Sequence, residues 1–316
     1  MKKKLYFLLE IIIITLLIGG CAKGESKRVF TSDPLFEKES DANSVPRDNT
    51  PVVLTPTADE STVLSSSVAC VDISHASEGY VTAKYTGEAA KVKFRIITPG
   101  QTTYTYNLTP GNDYETFPLL DSGDYTFAVF ENVQGNEYFQ VLSETVSIDI
   151  TNEFGPFLYP NQYVWFTPDS ACVEKAKDLT ANSTSELETV AIIFEFVVNH
   201  ITYDYDLADS VTSGYLPDPD TALATGSGIC LDYSSLMAAM LRSQSIPTRL
   251  EVGYAGTAYH AWISTYITDI GWVCGIIHFD GTSWSIMDPT FAANNSADAV
   301  KEYIGDGDNY SVKYIY

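Results

Sequence analysis

The chain has 316 residues, enough for two folded units and terminal extensions, and 45% of them are hydrophobic. Its 18 Lys and Arg residues stand against 41 Asp and Glu residues, and the net charge of −23 excludes nucleic acid as a partner because no local basic patch offsets it. Tyr (21) and Phe (15) are abundant and His is scarce at four, which favours packed β structure over a helical bundle or a His-rich metal protein.

Residues 1–20 have the pattern of a secretory signal. Three lysines at positions 2 to 4 precede an apolar run from Leu5 to Gly20 that is too short for an ordinary membrane span. Its end, Ile18 to Cys21, resembles a bacterial lipobox, in which the cysteine becomes the lipidated first residue of the mature protein. An uncleaved N-terminal anchor is the alternative. Both interpretations place the bulk of the chain outside the cytoplasm.

Lipid on Cys21 is the expected means of attachment to the cell membrane. Removal of residues 1–20 takes away three lysines and one glutamate and changes the net charge from −23 to −25. A surface this acidic is not attracted to anionic lipid, so acyl chains and not a basic patch would hold the protein in the cell envelope. Residues 21–60 are rich in Ser, Thr, Asp, Asn and Pro, and we expect a flexible tether.

Residues 61–153 are predicted to form a β-sandwich. Short runs rich in Val, Ile, Tyr, Phe and Thr alternate with turn residues such as Pro99-Gly100 and Ser122-Gly123. Seven strands at this spacing favour an immunoglobulin-like or fibronectin-like domain, with no catalytic constellation in it. The predicted strands are Ser67 to Ile73, Tyr80 to Tyr85, Val92 to Ile97, Thr103 to Leu108, Tyr125 to Glu131, Tyr138 to Leu142 and Thr145 to Ile150.

Beyond Pro156 the apolar period changes from two residues to about 3.6, so residues 154–316 are predicted to be a second domain that contains helices. Asp169 is expected to cap a short helix through Leu179, and Ser185 with Glu188 is expected to cap a longer one. The apolar stripe of this longer helix marks it as a core helix, and it consists of Leu187, Val190, Ala191, Phe194, Val197, Val198 and Ile201.

Cys230 is the candidate nucleophile. It follows Gly226 and Gly228, which supply a turn and a close backbone approach, and it opens a predicted helix from Cys230 to Gln244 that ends before Pro247. The positive end of a helix favours the thiolate form of a cysteine placed there. The alternative is that Cys230 is a small buried apolar residue. The helix is expected to bury Leu236, Met237, Met240 and Leu241.

Two further residues complete the pattern of a thiol triad. A strand with Leu250, Val252 and Tyr254 is followed by a second strand that begins around His260, and Asp288 follows a third strand from Ser283 to Met287 after the hairpin turn Asp280-Gly281. In this order His260 would take the proton from Cys230, and Asp288 would fix the imidazole tautomer.

These residues carry a resemblance to the transglutaminase-like superfamily. The resemblance spans about residues 188 to 292 and implies a papain-like α+β fold, in which the helix of the nucleophile packs on an antiparallel sheet that carries His260 and Asp288. It also implies an acyl-thioester mechanism without a metal or other cofactor. Its motifs are Ile201-Thr202-Tyr203-Asp204, Gly228-Ile229-Cys230, Asp232-Tyr233, Met240-Leu241-Arg242, Ile246-Pro247-Thr248, His260-Ala261-Trp262 and Met287-Asp288-Pro289-Thr290-Phe291.

The sequence departs from this family between His260 and Asp288, which are 28 residues apart instead of a short hairpin's length. Asp269 and Asp280 are therefore rival third members of the triad. The backbone N–H of Cys230 is expected in the oxyanion hole, and its second donor stays unassigned.

Three aromatic residues near these positions are candidates for substrate contact. Tyr233 follows Cys230 by three residues, and Tyr259 and Trp262 flank His260. For Tyr233 and Trp262, packing in the core is an equally open interpretation. Asp232 lies in the first turn of the helix, where it is expected to complement the dipole and not to act as a base.

No metal site is expected. The pairs Asp204/Asp206, Asp218/Asp220 and Asp306/Asp308 are spaced as in calcium loops, but none is followed by the Gly and Glu that such loops use. Beyond Cys21 the chain has Cys70, Cys172, Cys230 and Cys274, too few for a disulfide scaffold, and the sequence leaves their pairing open.

Three hypotheses about function follow. The first is an extracytoplasmic, lipid-anchored cysteine enzyme that cleaves or transfers an amide acyl group of a protein or peptide through a thioester on Cys230, as a peptidase with water or a transamidase with an amine. The second is a binding or scaffold module with the same fold and no turnover. The third is an adhesin-like protein in which the sandwich binds the partner.

Overall fold

The structure is a computed structural model that describes residues 45–268, 270–274, 278–279, 284–285 and 310–316. The predicted signal segment, Cys21 and the Asp280-Gly281 turn lie outside these residues. None of the helices in the described part of the chain combines the length and apolar character needed to cross a membrane.

Eight strands form two four-stranded antiparallel sheets in the first part of the chain. The first sheet has the order β1-β2-β3-β6 and the second has the order β5-β4-β7-β8. Phe117 of the first sheet packs against Phe94 and Tyr106 of the second, with ring centroids 4.8 and 4.7 Å apart. The strands are β1 (Val63–Ser65), β2 (Ala69–Asp72), β3 (Tyr80–Tyr85), β4 (Val92–Ile97), β5 (Thr103–Leu108), β6 (Glu115–Pro118), β7 (Gly123–Gln134) and β8 (Glu137–Ile148).

Three of the predicted strands, β3, β4 and β5, have the predicted bounds, while the end of this region differs from the prediction. The two strands predicted before and after Ser143-Glu144 are one continuous strand, β8. Ser143 and Glu144 stay in the ladder because they pair with Ala128 and Phe127 of β7. Polar residues on an exposed sheet face do not interrupt a strand, so the predicted break at these two residues is wrong. Strands β1 and β6 were not predicted.

Five helices follow: α1 (Ala171–Thr180), α2 (Glu186–His200), α3 (Tyr205–Ser210), α4 (Pro219–Thr225) and α5 (Cys230–Ser243). The predicted cap of α2 is confirmed, since the Ser185 hydroxyl accepts from the N–H of Glu188 at 3.1 Å. The cap of α1 differs: Ser170, not Asp169, is the N-cap residue. The carboxylate of Asp220 accepts from the first two N–H groups of α1 at 3.0 and 2.9 Å.

The second part of the chain also contains an antiparallel sheet with the order β13-β12-β11-β16, and helix α5 packs against its strands β11 and β12. The described residues also include two short pairs of strands, β9 with β10 and β14 with β15. The strands are β9 (Thr202–Tyr203), β10 (Ser227–Gly228), β11 (Thr248–Ala255), β12 (Ala258–Ile267), β13 (Gly271–Cys274), β14 (His278–Phe279), β15 (Trp284–Ser285) and β16 (Tyr310–Ile315).

Residues 45–60 lie against the folded part of the chain. The N–H of Arg47 donates to the carbonyl of Ser183 at 3.0 Å, and the N–H of Val52 donates to the carbonyl of Ser243 at 2.9 Å. The sequence had placed these residues in the tether predicted for 21–60. Val53 also packs against the apolar core, so main-chain hydrogen bonds and apolar contact, neither of which composition reveals, hold these residues here.

Candidate active site

Cys230 lies where the buried helix α5 reaches the protein surface. Cys230 and Leu231 are half-buried, whereas residues 232 to 243 are buried. The four apolar residues predicted for the core, Leu236, Met237, Met240 and Leu241, are fully buried. The helix is therefore anchored along its length, and the cysteine is held at its accessible end.

The turn before Cys230 depends on two glycines. Gly226 ends helix α4 with a φ of +61°, in the left-handed region that favours glycine. Gly228 is in β10 beside Tyr203 of β9. A Cβ atom at Gly228 would lie 2.6 Å from the Cβ of Asp232, and at this distance one of the two residues would have to move. Glycine at this position lets the chain pass close to the first turn of α5.

One hydrogen-bond donor at the N-terminal end of α5, the N–H of Cys230, has no acceptor among the described residues. The Asp232 carboxylate accepts from the N–H of Ile229 at 2.8 Å through Oδ2. Within the described part of the chain, no acceptor takes the N–H of Cys230. This N–H and the positive end of the helix are suited to stabilise an oxyanion that forms next to the sulfur.

Asp232 is a buried carboxylate with two partners. Only 3% of the residue is exposed, and its Oδ1 accepts from the hydroxyl of Tyr215 at 2.7 Å. Burial raises the pKa of Asp232, and the charges of Asp204 and Asp218 raise it further, while the bonds from Ile229 and Tyr215 lower it. The pKa of Tyr215 is raised by its own burial and then by Asp232. The predicted role of Asp232 at the helix start agrees with these contacts.

His260 is on β12, opposite Gly253 of β11, in the sheet against which α5 packs. Its ring lies 6.4 Å from that of Trp262, centroid to centroid. A hydrogen bond between His260 and the Cys230 thiol stays a prediction. Asp288 and its rivals Asp269 and Asp280 lie outside the described residues.

Of the three aromatic candidates, Tyr259 is accessible and the other two are buried. Tyr259 is 57% exposed and contacts Tyr254 edge to face, with centroids 5.5 Å apart. Desolvation of its phenol raises the pKa of Tyr259, and nearby tyrosines and the Cys230 thiol raise it further. Tyr259 thus lies within electrostatic range of the candidate nucleophile.

Tyr233 and Trp262 are in the core. The hydroxyl of Tyr233 donates to the carbonyl of Ile201 at 2.7 Å, and Trp262 Nε1 donates to Glu251 Oε2 at 2.7 Å. Both residues are buried. In this structure they offer no surface to a substrate, which agrees with the core role that the sequence left open.

Two residues of this region were not predicted from the sequence. Glu251 alternates with Leu250 and Val252 on β11, a pattern typical of a residue that faces solvent, yet it is buried under Trp262. Tyr215 lies in a polar loop between α3 and α4, and no local signal links it to Asp232, which is 17 residues later.

The first aspartate of each pair in this region caps the helix that follows it. Asp204 accepts from the N–H of Leu207 in α3, and Asp218 accepts from the N–H of Thr221 in α4. Among the residues that the structure describes, no group of three or more His, Cys, Asp or Glu is arranged to hold a metal ion. Cys70, Cys172 and Cys230 carry free thiols.

Comparison with known proteins finds a family match over the part of the chain that contains Cys230 and His260. Residues 173–275 match the model of the Transglutaminase-like superfamily. The UPF0252 protein MJ1282 of Methanocaldococcus jannaschii is 27% identical over 241 residues, which cover 68% of this chain and 66% of that protein. The chain thus spans just under two thirds of the length of this relative.

Two solved structures are similar at low identity. One is a candidate cysteine protease from Cytophaga hutchinsonii, with 19% identity, a TM-score of 0.33 and coverage of 67% of this chain and 78% of that chain. The other is the periplasmic domain of TgpA from Pseudomonas aeruginosa, with 15% identity, a TM-score of 0.32 and coverage of 72% and 74%.

Proposed function

We propose that the protein is a cysteine enzyme that cleaves or transfers an amide acyl group of a protein or peptide, because residues 173–275 match the model of the transglutaminase-like superfamily. The observation that carries the proposal is the position of Cys230. It is the first residue of α5, half-buried, at the positive end of an otherwise buried helix, and its N–H has no acceptor among the described residues.

The proposed reaction has two steps. The Cys230 sulfur attacks the amide carbonyl while His260 takes the thiol proton, and collapse of the tetrahedral intermediate breaks the C–N bond as the leaving amine receives that proton. In the second step, water or an amine attacks the thioester while His260 takes its proton, and the C–S bond breaks as that proton returns to the leaving Cys230 sulfur. Asp288 is the proposed partner of His260, and the N–H of Cys230 is the proposed oxyanion donor.

Tyr259 is the proposed substrate-contacting residue. Its exposed ring and its place next to His260 on β12 support this role. A flat aromatic side chain at the edge of such a site gives a polypeptide substrate apolar contact area and one hydrogen-bonding group.

We further propose that residues 61–153 are an immunoglobulin-like or fibronectin-like sandwich. Two packed four-stranded antiparallel sheets support this assignment. The Tyr125 hydroxyl at the start of β7 also donates to the carbonyl of Asp121, four residues upstream, at 2.8 Å, as in the tyrosine corner of such domains.

The proposed location is outside the cytoplasm, with lipid on Cys21 as the anchor to the cell membrane. The basis is the sequence alone, in the cationic start, the apolar run and the lipobox-like Ile18 to Cys21.

The proposed activity is tested with two reactions of the protein. Incorporation of monodansylcadaverine into dimethylated casein measures transfer to an amine, and mass spectrometry of casein peptides measures hydrolysis. We expect at least one reaction in the wild type and its loss in Cys230→Ser. Cys70→Ser is the matched control, because Cys70 is also a half-buried free thiol and lies outside the site. Activity that survives in Cys230→Ser would refute the proposal.

A further inference from the structure

The loop between α3 and α4, residues 211–218, lies close to β5 on one side and contacts the first turn of α5 on the other. The N–H of Tyr215 donates to the carbonyl of Thr212, which makes a turn in this loop. Gly214, with a φ of +94°, passes so close to β5 that a Cβ atom there would lie 2.2 Å from Nδ2 of Asn107. The same loop then presents the Tyr215 hydroxyl to Asp232.

This contact fixes the direction of the Asp232 carboxylate. Oδ2 accepts from Ile229 N–H and Oδ1 accepts from the Tyr215 hydroxyl. A carboxylate in the first turn of a helix can accept from any of the free N–H groups there. Bound by these two donors, the carboxylate of Asp232 stays directed at Ile229 and Tyr215, and within the described residues no bond joins it to the N–H of Cys230.

We propose that Tyr215 is a positioning residue for the oxyanion hole: by holding Asp232 Oδ1, it keeps the N–H of Cys230 free to bind the oxyanion of the acyl-transfer reaction. The inference rests on the proposed function and adds a residue to the same site. Tyr215 does not touch the reacting atoms, and its effect passes through Asp232.

The charges around Asp232 explain why a donor from another element is needed. Asp204, before α3, and Asp218, before α4, face the same buried carboxylate, and both disfavour its charge. These three residues and Tyr215 line a common cavity of about 360 Å³. The Tyr215 hydroxyl offsets this repulsion and fixes the direction in which Oδ1 points.

Two probes separate this role from a general structural role. Acylation of Cys230 by p-nitrophenyl acetate passes through an oxyanion, whereas alkylation by iodoacetamide is a direct displacement without one. In Tyr215→Phe, Oδ1 loses the donor that fixes its direction and can turn to the N–H of Cys230. We expect acylation to slow at least about tenfold, up to the roughly 10²- to 10³-fold that follows outright removal of an oxyanion donor, while alkylation stays within about twofold of the wild type.

A second variant restores the donor. In the double variant Tyr215→Phe with Asp232→Asn, the amide oxygen can still accept from Ile229, and the amide nitrogen cannot accept from Cys230. We expect its acylation rate to return toward that of the wild type. Tyr205→Phe is the matched control, because it removes the hydroxyl of a tyrosine that is 62% exposed, at the start of α3.

The outcomes are distinguishable. Equal acylation of the wild type and Tyr215→Phe overturns the positioning role and leaves the proposed function intact. Parallel loss of acylation and alkylation, or a double variant slower than Tyr215→Phe, also overturns it, because Tyr215 would then only support the fold. A wild type that p-nitrophenyl acetate does not acylate at Cys230 overturns both the inference and the proposed function.

Discussion

At the scale of single residues, Gly228 sets how closely the chain approaches the first turn of α5. An alanine Cβ would meet the Cβ of Asp232 at 2.6 Å, and neither atom is the flexible end of a side chain. Gly228→Ala must therefore displace Asp232 or the turn that carries Cys230. We expect Cys230-dependent acylation to slow at least about tenfold, which corresponds to about 1.4 kcal/mol in the activation free energy.

The matched control for this substitution is Gly100→Ala. A Cβ atom at Gly100 would meet only the Thr98 hydroxyl, at an ordinary distance of 3.8 Å. Acylation rates with p-nitrophenyl acetate should separate the two variants. Equal rates for Gly228→Ala and Gly100→Ala would mean that the turn is more adaptable than its packing indicates.

The burial of Glu251 predicts that the stability of the protein depends on pH. Burial raises its pKa, although Trp262 and Arg249 partly offset this shift. Because the pKa is higher in the folded state than in the unfolded state, the stabilising contribution is complete below the unfolded value of about 4.3 and is lost as the pH rises through the folded value. A pH above the unfolded value therefore reduces the stability that this carboxyl group contributes.

Glu251→Gln removes this charge and keeps an oxygen that can accept from Trp262. We expect a higher free energy of unfolding at pH 7, by about 1.4 kcal/mol for each unit by which the pKa of Glu251 is raised, and little change near pH 4. Urea unfolding at both pH values measures this, with Glu144→Gln on the exposed face of β8 as the control. A variant that is less stable at pH 7 than at pH 4, relative to the wild type, would contradict the argument.

At the scale of elements, Arg242 fixes helix α5 to its neighbours. Its buried guanidinium donates to the carbonyls of Tyr159, Thr248 and Tyr316 at 2.7, 2.9 and 2.8 Å. Burial lowers the pKa of Arg242 to about 9, so the group remains charged at pH 7. A planar group with several donors matches these three acceptors, and an ammonium does not reproduce that geometry.

We expect Arg242→Ala to lower the free energy of unfolding by about 3 kcal/mol or more, because it leaves buried carbonyls without donors. Arg242→Lys should give an intermediate loss. Arg95→Ala is the control, since Arg95 is exposed and contacts the ring of Phe130, an interaction worth about 1 kcal/mol or less. Urea denaturation of the three variants measures these differences, and wild-type stability in Arg242→Lys would contradict the assigned role.

The elements also show which features a sequence reveals. Strands β3 to β5 and the start of α5 follow from local alternation, apolar spacing and glycine, all of which lie within a few residues of each other. The cap of α1 by Asp220 depends on a residue about 50 positions away, and the bond from Tyr215 to Asp232 depends on a loop. Such partners meet only after folding, so a local pattern does not contain them.

At the scale of the whole molecule, a cluster of tyrosine rings joins the β-rich first part of the chain to the part that contains Cys230. Tyr163 stacks on Tyr316 with centroids 4.0 Å apart. Tyr106 of β5 lies 6.2 Å from Tyr163, and Tyr104 lies 5.3 Å from Tyr314. Buried residues of both parts belong to one continuous apolar core.

A shared core predicts that the two parts unfold together. We expect a single calorimetric transition with equal calorimetric and van't Hoff enthalpies, and Tyr106→Ala should lower its midpoint without splitting it. Tyr106→Ala should lower the free energy of unfolding by about 3 to 5 kcal/mol, as truncation of other large buried aromatic residues does. Tyr138→Ala, in β8 and outside this cluster, is the control. Two separate transitions in the wild type would show that the parts are independent.

The most direct test of the account is the pH dependence of iodoacetamide alkylation at Cys230, in the wild type and in His260→Ala, with His75→Ala as a control histidine in the first part of the chain. The account predicts that the wild type and His75→Ala react readily at neutral pH and that His260→Ala reacts readily only at alkaline pH, as an unactivated thiol does. A wild-type profile that His260→Ala leaves unaltered would contradict the claim that Cys230 is an activated nucleophile.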